Sequence, residues 1–452
     1  MKPRLGFVHQ RNIRKWQLEY LTGILSHESW TGALILAIPL LLLGVVAHYF
    51  FSVSANILMT TFFINVIGVL GYYVFIGITG VGVFGHVAFT AIGAYMAALL
   101  TLDPLIKAKL LPNLPLWLSH VHLGFWPALL VTIAAVGLVG LLIGIPVTRM
   151  KEGPVGILTL CLLVMVYNIT VVWTDVTRGV QPIYDIPQNV GLWTALFFAI
   201  GAIFLARFFK DSIIGLRLRA SAQEKAAAQS LGVNVPNSRL LAWTLSAMFM
   251  ALAGVLVAQH LSIVNPTQYN ITYAFTLLAM LIVGGASTVA GAVLGTAFMT
   301  FVIEILRRLG EGPQIGPVQL PEILGMTMFG LGICLIAVMF WRREGIVGHL
   351  EIDERFSRWR KIEKIRKESV RSALPSQYGP AGIALKTKRS KQATLILKDV
   401  TKDFGGLRAL DGVNLELSSK EILGLIGPNG SGKTTLINVI TGALYLSSGE
   451  VK

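Results

Sequence analysis

Charged residues and cysteines are scarce in this 452-residue sequence, and each scarcity excludes a class of protein. Asp, Glu, Lys and Arg make up 13% of the chain, whereas hydrophobic residues make up 54%. Soluble domains carry about 25% charged residues, so this balance excludes a chain that is mostly surrounded by water. The two cysteines, Cys161 and Cys334, lie in different apolar runs. We therefore predict neither a disulfide framework nor a metal cluster, and we expect both thiols to be small buried apolar groups.

The positive net charge of +15 is unevenly distributed. Residues 342–391, which follow the last apolar run, contain 14 basic and 6 acidic residues. This placement favours a basic belt beside the cytoplasmic face of a membrane over a nucleic-acid surface, so we predict no nucleic-acid partner. The N-terminal basic residues precede an apolar run too long for a signal-peptide core, which makes 1–32 a cytoplasmic N-terminal segment.

Long hydrophobic runs fill the region 33–341. A helix needs about 20 apolar residues to cross a bilayer, because every backbone polar group must be paired within the segment. The candidate spans are 33–53, 57–78, 81–102, 124–147, 154–173, 190–209, 240–264 and 323–341. The stretch 271–306 is either one long tilted helix or two short helices that meet at GGAST, where Gly284 and Gly285 would form the turn.

After the last span the composition changes. Residues 342–393 predict a basic amphipathic helix over 351–372, followed by a Pro/Gly/Ser linker over 372–382. The helix would lie on an anionic membrane surface, with a solvated linker helix as the alternative. Its apolar stripe consists of Ile352, Phe356, Trp359 and Ile362. We expect a new domain over 394–452.

This C-terminal domain contains a phosphate-binding motif. Residues 394–404 and 413–418 alternate as strands do, and 421–426 is a continuous apolar run that predicts a buried strand. It leads into GPNGSGKT, which matches G-x-x-x-x-G-K-[ST], with a helix beginning near Gly432. We predict an ATP site with Mg²⁺ held by the hydroxyl of Thr434. Its loop and first helical turn consist of Gly427, Asn429, Gly430, Ser431, Gly432, Lys433, Thr434 and Thr435.

The chemistry of phosphate binding explains these residue types. Glycines let the backbone curl so that consecutive N–H groups point at phosphate oxygens, and the helix N-terminus adds a positive dipole. Lys433 would reach the β- and γ-phosphates. A strand, this loop and a helix in sequence make the motif specific.

Basic residues predict the number of crossings. Arg149 with Lys151, the loop 207–239, and 342–343 mark cytoplasmic loops, whereas 262–272 carries no charge. An ATP site also requires a cytoplasmic C-terminal segment. With both ends inside, the count must be even, so we predict ten crossings, two of them in 271–306, with nine as the alternative.

Two of the ionisable residues within the predicted spans are candidates for a functional role. His86 is a candidate functional group, but we favour a structural role in which it bonds a neighbouring carbonyl. Glu304, at helical spacing from Arg307 and Arg308, predicts an interfacial ion pair rather than a proton relay. Both arginines lie outside in the ten-span topology, against the charge rule.

The loop between the sixth and seventh spans predicts a short helix. Residues 221–231 are rich in Ala, Glu, Gln and Lys, and Gly232 is placed to end the helix. Such a three-turn polar helix is either a docking element or a solvated connector.

Two resemblances extend these predictions. FGGLRALDGVNLEL (404–417), the phosphate loop and TGALYLSSGEV (441–451) resemble the opening of an ATP-binding-cassette (ABC) ATPase. The resemblance implies that Phe404 stacks on adenine, with simple packing as the alternative. It also implies segments that this sequence does not contain: an Asp and a Glu at a second core strand, a downstream His and an LSGGQ-like segment. We therefore assign no catalytic residues and leave ATP hydrolysis by this chain open.

The membrane part resembles the permeases of branched-chain amino acid importers. The matching segments are FGHVAFTAIGAY (84–95), TRGVQPIYDIP (177–187), DSIIGLRLRASAQEKAAAQSLGVNV (211–235) and LIVGGASTVAGAVLG (281–295). The resemblance implies a second permease subunit, an intact ABC ATPase and an external substrate-binding protein as partners, in a bacterial inner membrane. It also implies a coupling helix that docks on the ATPase, with Glu224, Ala227, Leu231 and Gly232 as its residues.

The predicted fold is therefore an all-α polytopic membrane domain of about ten transmembrane helices, followed by a partial α/β P-loop NTPase domain of ABC type. We expect a permease fused to the N-terminal part of its ATPase and cut short after the phosphate loop. The substrates left open are branched-chain amino acids, other neutral amino acids, and urea or short amides. An ATP-independent transporter or channel with a regulatory phosphate loop is the alternative from another class.

Overall fold

The computed structural model of the chain describes residues 27–311, 314–315, 318–319, 323, 325–351, 353–354, 393–405, 407–418, 421–427 and 430–452. Its contacts divide the chain into two units, Met1–Lys364 and Ile365–Lys452, each described here by itself. The predicted linker and the apolar stripe of the predicted amphipathic helix lie outside the described residues.

The first unit is a bundle of helices. Besides its α-helices it contains a π-helical turn, Tyr73–Gly77, and a short 3₁₀ turn, Pro266–Tyr269. Two short antiparallel pairs join β1 (Ile183–Tyr184) to β2 (Ile263–Val264) and β3 (Gln314–Ile315) to β4 (Val318–Gln319). The helices are α1 (His27–Phe50), α2 (Val53–Tyr72), α3 (Val87–Thr101), α4 (Pro104–Leu110), α5 (Leu116–Ser119), α6 (Phe125–Val147), α7 (Glu152–Val172), α8 (Thr174–Thr177), α9 (Leu192–Asp211), α10 (Ile213–Gln223), α11 (Lys225–Ser230), α12 (Val235–Leu261), α13 (Ile271–Gly284), α14 (Val289–Gly310) and α15 (Met326–Trp341).

By length and composition, the described residues contain seven helices able to cross a membrane: α1, α2, α6, α7, α9, α12 and α14. The bent pair of α3 and α4, with 118° between them, makes an eighth if it is counted as one span. At about 1.5 Å per residue, α13 and α15 are about 21 and 24 Å long, which is shorter than a hydrocarbon core of about 30 Å. The count of ten is therefore not confirmed by helix length.

The ambiguous stretch 271–306 consists of two helices, as the two-helix alternative predicted. They meet at Gly285, which has a φ of +116°, a conformation that favours glycine. The helices then pack closely, because a Cβ on Gly284 would lie 1.9 Å from the carbonyl oxygen of Gly291. The small residues of this segment therefore serve helix approach in the bundle interior.

The predicted span 81–102 is helical only from Val87. Residues 80–85 are non-helical, and Gly80 has a φ of +72°. Two hydroxyls replace helical partners there: Thr79 Oγ1 accepts from the N–H of Val81 at 3.2 Å, and Thr159 Oγ1 of α7 accepts from the N–H of Phe84 at 3.1 Å. We call residues 80–86 the unwound segment.

Helix α12 lies at the centre of the bundle, packed on α2, α3 and α6. Small residues let it approach α3: a Cβ on Gly254 would lie 2.1 Å from the carbonyl oxygen of Thr90, and one on Gly93 would lie 2.7 Å from that of Ala251. The outer faces of the helices are apolar and exposed. Cys161 is on such a face of α7, so the prediction that it is buried was wrong.

Several helix ends meet at one end of the bundle, which we call the basic end because Arg207, Lys210 and Arg239 lie there. The start of α1 is close to Arg207, since a Cβ on Gly32 would lie 2.8 Å from the guanidinium carbon. Arg239 of α12 pairs with Glu152 of α7 at 2.5 Å. The N–H of Val347, after α15, donates to the carbonyl of Gly284 at 3.0 Å. The starts of α1, α7, α12 and α14 and the ends of α9, α13 and α15 thus share this end.

The second unit is a three-stranded antiparallel sheet in the order β6-β5-β7, with one helix. Its elements are β5 (Ala393–Phe404), β6 (Leu407–Ser418), α16 (Lys433–Ile440) and β7 (Ser448–Val451). Leu397 and Val400 of β5 pack on Leu410 of β6 and on Leu436 and Val439 of α16. The predicted strands 394–404 and 413–418 are therefore present, the second beginning earlier.

The predicted buried strand 421–426 was wrong. These residues have no regular secondary structure, and the side chains of Ile422 and Ile426 are 98% and 96% exposed. A buried strand needs hydrogen-bonded neighbours, and the sheet of the second unit consists of β6, β5 and β7 without this segment. The apolar run alone did not contain this information.

Candidate functional site

The phosphate loop is shaped by glycines before α16. Gly430 and Gly432 have φ values of +88° and +83°. A Cβ on Gly432 would lie 2.4 Å from the carbonyl oxygen of Ala409, so both conformation and space require glycine there. The helix begins at Lys433, one residue after the predicted start. The loop therefore turns sharply at the N-terminus of a helix, the end at which backbone N–H groups and the helix dipole favour an anion.

Lys433 folds over this loop. Its Nζ donates to the carbonyl oxygen of Gly427 at 2.7 Å and to Oγ of Ser431 at 3.2 Å. A Cβ on Gly427 would lie 2.7 Å from the same hydroxyl, so the loop closes tightly around the ammonium group. Thr434 is exposed and Thr435 half-buried in the first turn of α16, while Asn429 lies outside the described residues. The ammonium group of Lys433, the glycines of the loop and the N-terminus of α16 are together suited to bind a phosphate oxyanion.

Phe404 ends β5 beside the loop between β5 and β6. Its side chain is 49% exposed, and Nζ of Lys402 lies 5.2 Å from the ring centroid. The ring is available for stacking rather than being packed in the small core of the second unit.

The predicted three-turn helix over 221–231 is broken in two. Glu224 adopts an extended conformation with a φ of −148°, which separates α10 from α11. Its carboxylate accepts from the N–H of Ala226 at 3.4 Å and so caps α11. Ser221, at the start of the predicted helix, belongs to α10 and is buried.

Helix α11 ends at Ser230, and Gly232, which was predicted to terminate it, follows with a φ of +84°. Ala228 is buried, whereas Glu224, Ala227, Leu231 and Gly232 are exposed. Leu231 in particular is 85% exposed. The four predicted coupling residues are thus all exposed between α10 and α12, with the apolar side chain of Leu231 after the end of α11.

Sequence reasoning missed a buried ionic cluster at the basic end. Oε1 of Glu351 accepts from Nζ of Lys210 at 2.8 Å and contacts Nη1 of Arg207 at 3.2 Å. The same carboxylate accepts from the N–H groups of Val289 and Ala290 at 2.9 and 3.2 Å, which caps α14. Arg207 also pairs with Asp211 and Asp353, and Lys210 with Glu354. The acidic run EIDE was assigned to a membrane-surface helix, but three of its residues bind the bundle.

The electrostatics of the cluster favour ionised Glu351. Burial alone would raise the pKa of this carboxyl, but the charges of Lys210 and Arg207 outweigh it and hold the pKa below its ordinary value. Burial raises the pKa of Asp353 despite its contact with Arg207. The cluster therefore depends chiefly on the charge of Glu351.

The structure shows the surroundings of His86 and Glu304, the two ionisable residues that were singled out within the predicted spans. His86 is fully buried between aromatic rings, with Trp243 4.4 Å away between ring centroids. Neither ring nitrogen has a hydrogen-bond partner within the described residues, so the predicted bond to a carbonyl was wrong. Glu304 pairs with Arg307 at 2.9 Å and with Arg308 at 2.6 Å, as predicted.

Comparison with known families identifies the membrane part. The family described as the permease component of branched-chain amino acid transport systems matches residues 54–339. The chain belongs to this family. The permease protein LivM of the high-affinity branched-chain amino acid transport system of Escherichia coli (strain K12) is 24% identical over 344 residues, which cover 69% of this chain and 74% of that relative.

The permease is followed by part of a second family. An ABC transporter family matches residues 410–452. The probable branched-chain amino acid transport ATP-binding protein LivG of Methanocaldococcus jannaschii is 46% identical over 63 residues, 14% of this chain and 24% of that relative. The sulfate/thiosulfate import ATP-binding protein CysA of Bradyrhizobium diazoefficiens is 50% identical over 58 residues, 13% of this chain and 17% of that relative. No solved structure matches the chain.

Family membership carries three general conclusions. The permease is a multi-pass membrane protein. Permeases of this kind work with a partner ATPase and a further permease subunit. The ABC segment is that of a nucleotide-binding domain, which implies ATP as its ligand.

Proposed function

We propose that the chain is the permease subunit of an ATP-driven importer of branched-chain or related neutral amino acids, with a fused segment that binds ATP and Mg²⁺. The observation that carries this proposal is the family match over 54–339, joined in one chain to a phosphate loop. The permease relative LivM belongs to a branched-chain amino acid transport system, which makes these amino acids the first substrates to test.

The nucleotide site is proposed to use the residues of the loop and of the first turn of α16. Lys433 would exchange its contacts with Gly427 and Ser431 for phosphate oxygens, and the loop N–H groups would bind the same phosphates. Thr434 would hold Mg²⁺ through its hydroxyl, and Phe404 would stack on the adenine. ATP supplies the binding and hydrolysis energy that drives transport when a complete ATPase is assembled.

Helix α11 is proposed to couple the membrane part to an ATPase. Its exposed surface, which ends at Leu231, has the size and character of a small hydrophobic anchor. Glu224 and Gly232 fix the two ends of this helix, so that movement of a docked partner reaches α10 and α12 rather than a flexible loop.

We further propose ten crossings in a bacterial inner membrane, with both termini cytoplasmic. The alternation of helix ends at the basic end supports an even count, and the short helices α13 and α15 would complete it. An external substrate-binding protein would deliver the amino acid at the opposite end of the bundle. The exposed apolar faces of the helices would contact lipid.

The test is uptake of labelled leucine into vesicles that contain the chain with its cognate permease, ATPase and binding protein. We expect uptake to require ATP and the binding protein, and excess unlabelled isoleucine or valine to compete. Competition by urea or short amides alone would reassign the substrate. Uptake driven by an ion gradient without ATP would support the transporter or channel alternative instead.

A further inference from the structure

The unwound segment leaves backbone N–H and C=O groups exposed that a helix would pair with each other. Gly82 is exposed, and a Cβ built on it would meet no atom within 4 Å. In the part of the chain that the structure describes, neither the N–H nor the C=O of Gly82 has a hydrogen-bond partner. Both groups of one peptide residue are therefore available to a ligand.

The exposed backbone of Gly82 lies within the length of the helix bundle and not in a loop at one of its ends. A Cβ on Gly85 would lie 1.6 Å from the carbonyl oxygen of Thr159, and one on Gly156 would lie 3.4 Å from that of Gly82. Gly156 and Thr159 are one to two turns into α7, about 6 to 11 Å from its start at 1.5 Å per residue. Non-helical backbone at such depth is tolerated where protein covers it or where it lines a water-filled cavity, but not against lipid.

A cavity adjoins Gly82. Its volume is about 630 Å³, and its walls come from the unwound segment, α13 and α15. Phe84, Phe275, Ile282 and Leu331 make most of this lining apolar, and Thr276 adds a hydroxyl. An apolar chamber with a few polar groups at one side is the usual form of a small-molecule site.

We infer that this cavity is the site where the transported amino acid rests within the permease. The N–H of Gly82 would bind the α-carboxylate, the C=O of Gly82 would bind the α-ammonium group, and the apolar walls would hold an aliphatic side chain. The inference rests on the proposed function, because it places that function's substrate. An acyl chain of a lipid offers no donor or acceptor for Gly82, so lipid is the poorer occupant.

The unwound segment also contacts α10, the helix that precedes the proposed coupling helix α11. A Cβ on Gly80 would lie 3.4 Å from the Cβ of Ala222 in α10, the helix that precedes α11. A shift of α10 and α11 would therefore reach the unwound segment through direct contact. A movement of α11 caused by a docked ATPase would therefore change the shape of the cavity.

Thiol accessibility tests whether the cavity is aqueous. Cys161 and Cys334 are first replaced by alanine, and Gly82→Cys is compared with Leu138→Cys, a residue 60% exposed on the lipid-facing side of α6. A charged methanethiosulfonate should modify Gly82→Cys at least about tenfold faster, because a thiol in hydrocarbon stays protonated and the reagent does not enter it. Leucine, delivered by the binding protein, should slow this reaction.

Two results would overturn the inference. Modification of Gly82→Cys no faster than that of Leu138→Cys would mean that lipid or a partner helix fills the cavity. Fast modification without protection by leucine would mean that water enters but the substrate does not.

Substrate selectivity supplies the second measurement. Leu331→Phe should narrow the cavity and raise KM for leucine about tenfold more than KM for alanine. Equal KM changes for both amino acids would contradict the assignment. Transport of leucine by the cysteine-free parent tests the proposed function separately, so that its failure is distinguishable from failure of the cavity assignment.

Discussion

The carboxylate of Glu351 connects three parts of the chain at the basic end. It accepts from Lys210 and contacts Arg207 on α9, and it caps α14 through the N–H groups of Val289 and Ala290. Glu351 is 1% exposed, so water cannot replace these partners. A buried carboxylate of this kind contributes through its full set of contacts, and removing its charge leaves two buried cations with one partner fewer.

Glu351→Gln should destabilise the purified chain by about 3 kcal/mol, since breaking a buried ion pair from one side leaves uncompensated charge. Thermal unfolding in detergent measures this. The matched control is Glu354→Gln, whose side chain is 39% exposed and lies 3.4 Å from Lys210. We expect less than about 1 kcal/mol for Glu354→Gln, because this carboxylate, unlike that of Glu351, is partly exposed to solvent. Equal effects of the two substitutions would contradict the central role of Glu351.

The stabilisation by Glu351 should also depend on pH. Its pKa in the folded chain lies below the ordinary value of 4.5. A lowered carboxyl pKa stabilises the fold above the unfolded-state pKa, and this stabilisation is lost as the pH falls through the folded-state value. The difference in melting temperature between wild type and Glu351→Gln should therefore be constant from neutral pH to about pH 5 and shrink below about pH 4.5. A difference that grows on acidification would refute it.

Lys433→Ala should weaken binding of a fluorescent ATP analogue to the full chain at least about tenfold, because hydrogen bonds to charged groups contribute about 1.5–3 kcal/mol. The ammonium group already sits at the loop, 2.7 Å from the carbonyl of Gly427. Lys398→Ala, which removes an exposed lysine from β5, is the control and should leave affinity unchanged. Equal affinity of Lys433→Ala and wild type would exclude the proposed phosphate contact.

Helices α3 and α12 approach each other closely because glycines take the place of larger side chains between them. Gly254→Ala should destabilise the bundle by about 2 kcal/mol, because its Cβ would lie 2.1 Å from the carbonyl oxygen of Thr90 and force α3 and α12 apart. Gly201→Ala on α9 is the control, since nothing lies within 4 Å of that Cβ. It should be neutral or stabilising by up to about 1 kcal/mol through helix propensity. Melting temperatures that change in the same direction would argue against tight packing at Gly254.

Helix α11 should contribute to docking but not to folding. Leu231→Ser should lower the affinity for the cognate ATPase about tenfold, since burial of one leucine in a partner groove stabilises by about 1.5–3 kcal/mol. Leu116→Ser, at a leucine of similar exposure on α5, should have no effect on that affinity. Both variants should melt as wild type does, and co-sedimentation of the ATPase with vesicles measures binding. An unchanged affinity for Leu231→Ser would remove α11 from the interface.

At the scale of the molecule, the alternation of helix ends predicts sidedness. In the cysteine-free background, Leu231→Cys should react with an impermeant thiol reagent only after cells are permeabilised. Thr267→Cys, in the uncharged loop between α12 and α13, should react in intact cells. Labelling of Leu231→Cys from outside would reverse the topology and with it the proposed access to ATP.

Properties that depend on neighbouring residues were predictable from the sequence. The apolar runs located six of the seven long helices, because crossing length and hydrophobicity are local, whereas α14 lay in the stretch 271–306 that the sequence left as one helix or two. The spacing GPNGSGKT located the loop before α16 because the conformations of Gly430 and Gly432 are set within a few residues. The pair of Glu304 with Arg307 follows from helical spacing in the same way.

Tertiary structure decided the features that require contacts between distant segments. The unwound segment exists because Thr159 of α7 supplies a hydroxyl to the N–H of Phe84, 75 positions away. Glu351 is buried because α9 brings Arg207 and Lys210 to it, although its own sequence reads as a solvated acidic run. The run 421–426 lies outside the sheet of β6, β5 and β7, although its apolar residues read as a buried strand. Hydrophobicity and spacing determine which residues can form helices and loops, whereas packing alone determines which polar groups meet.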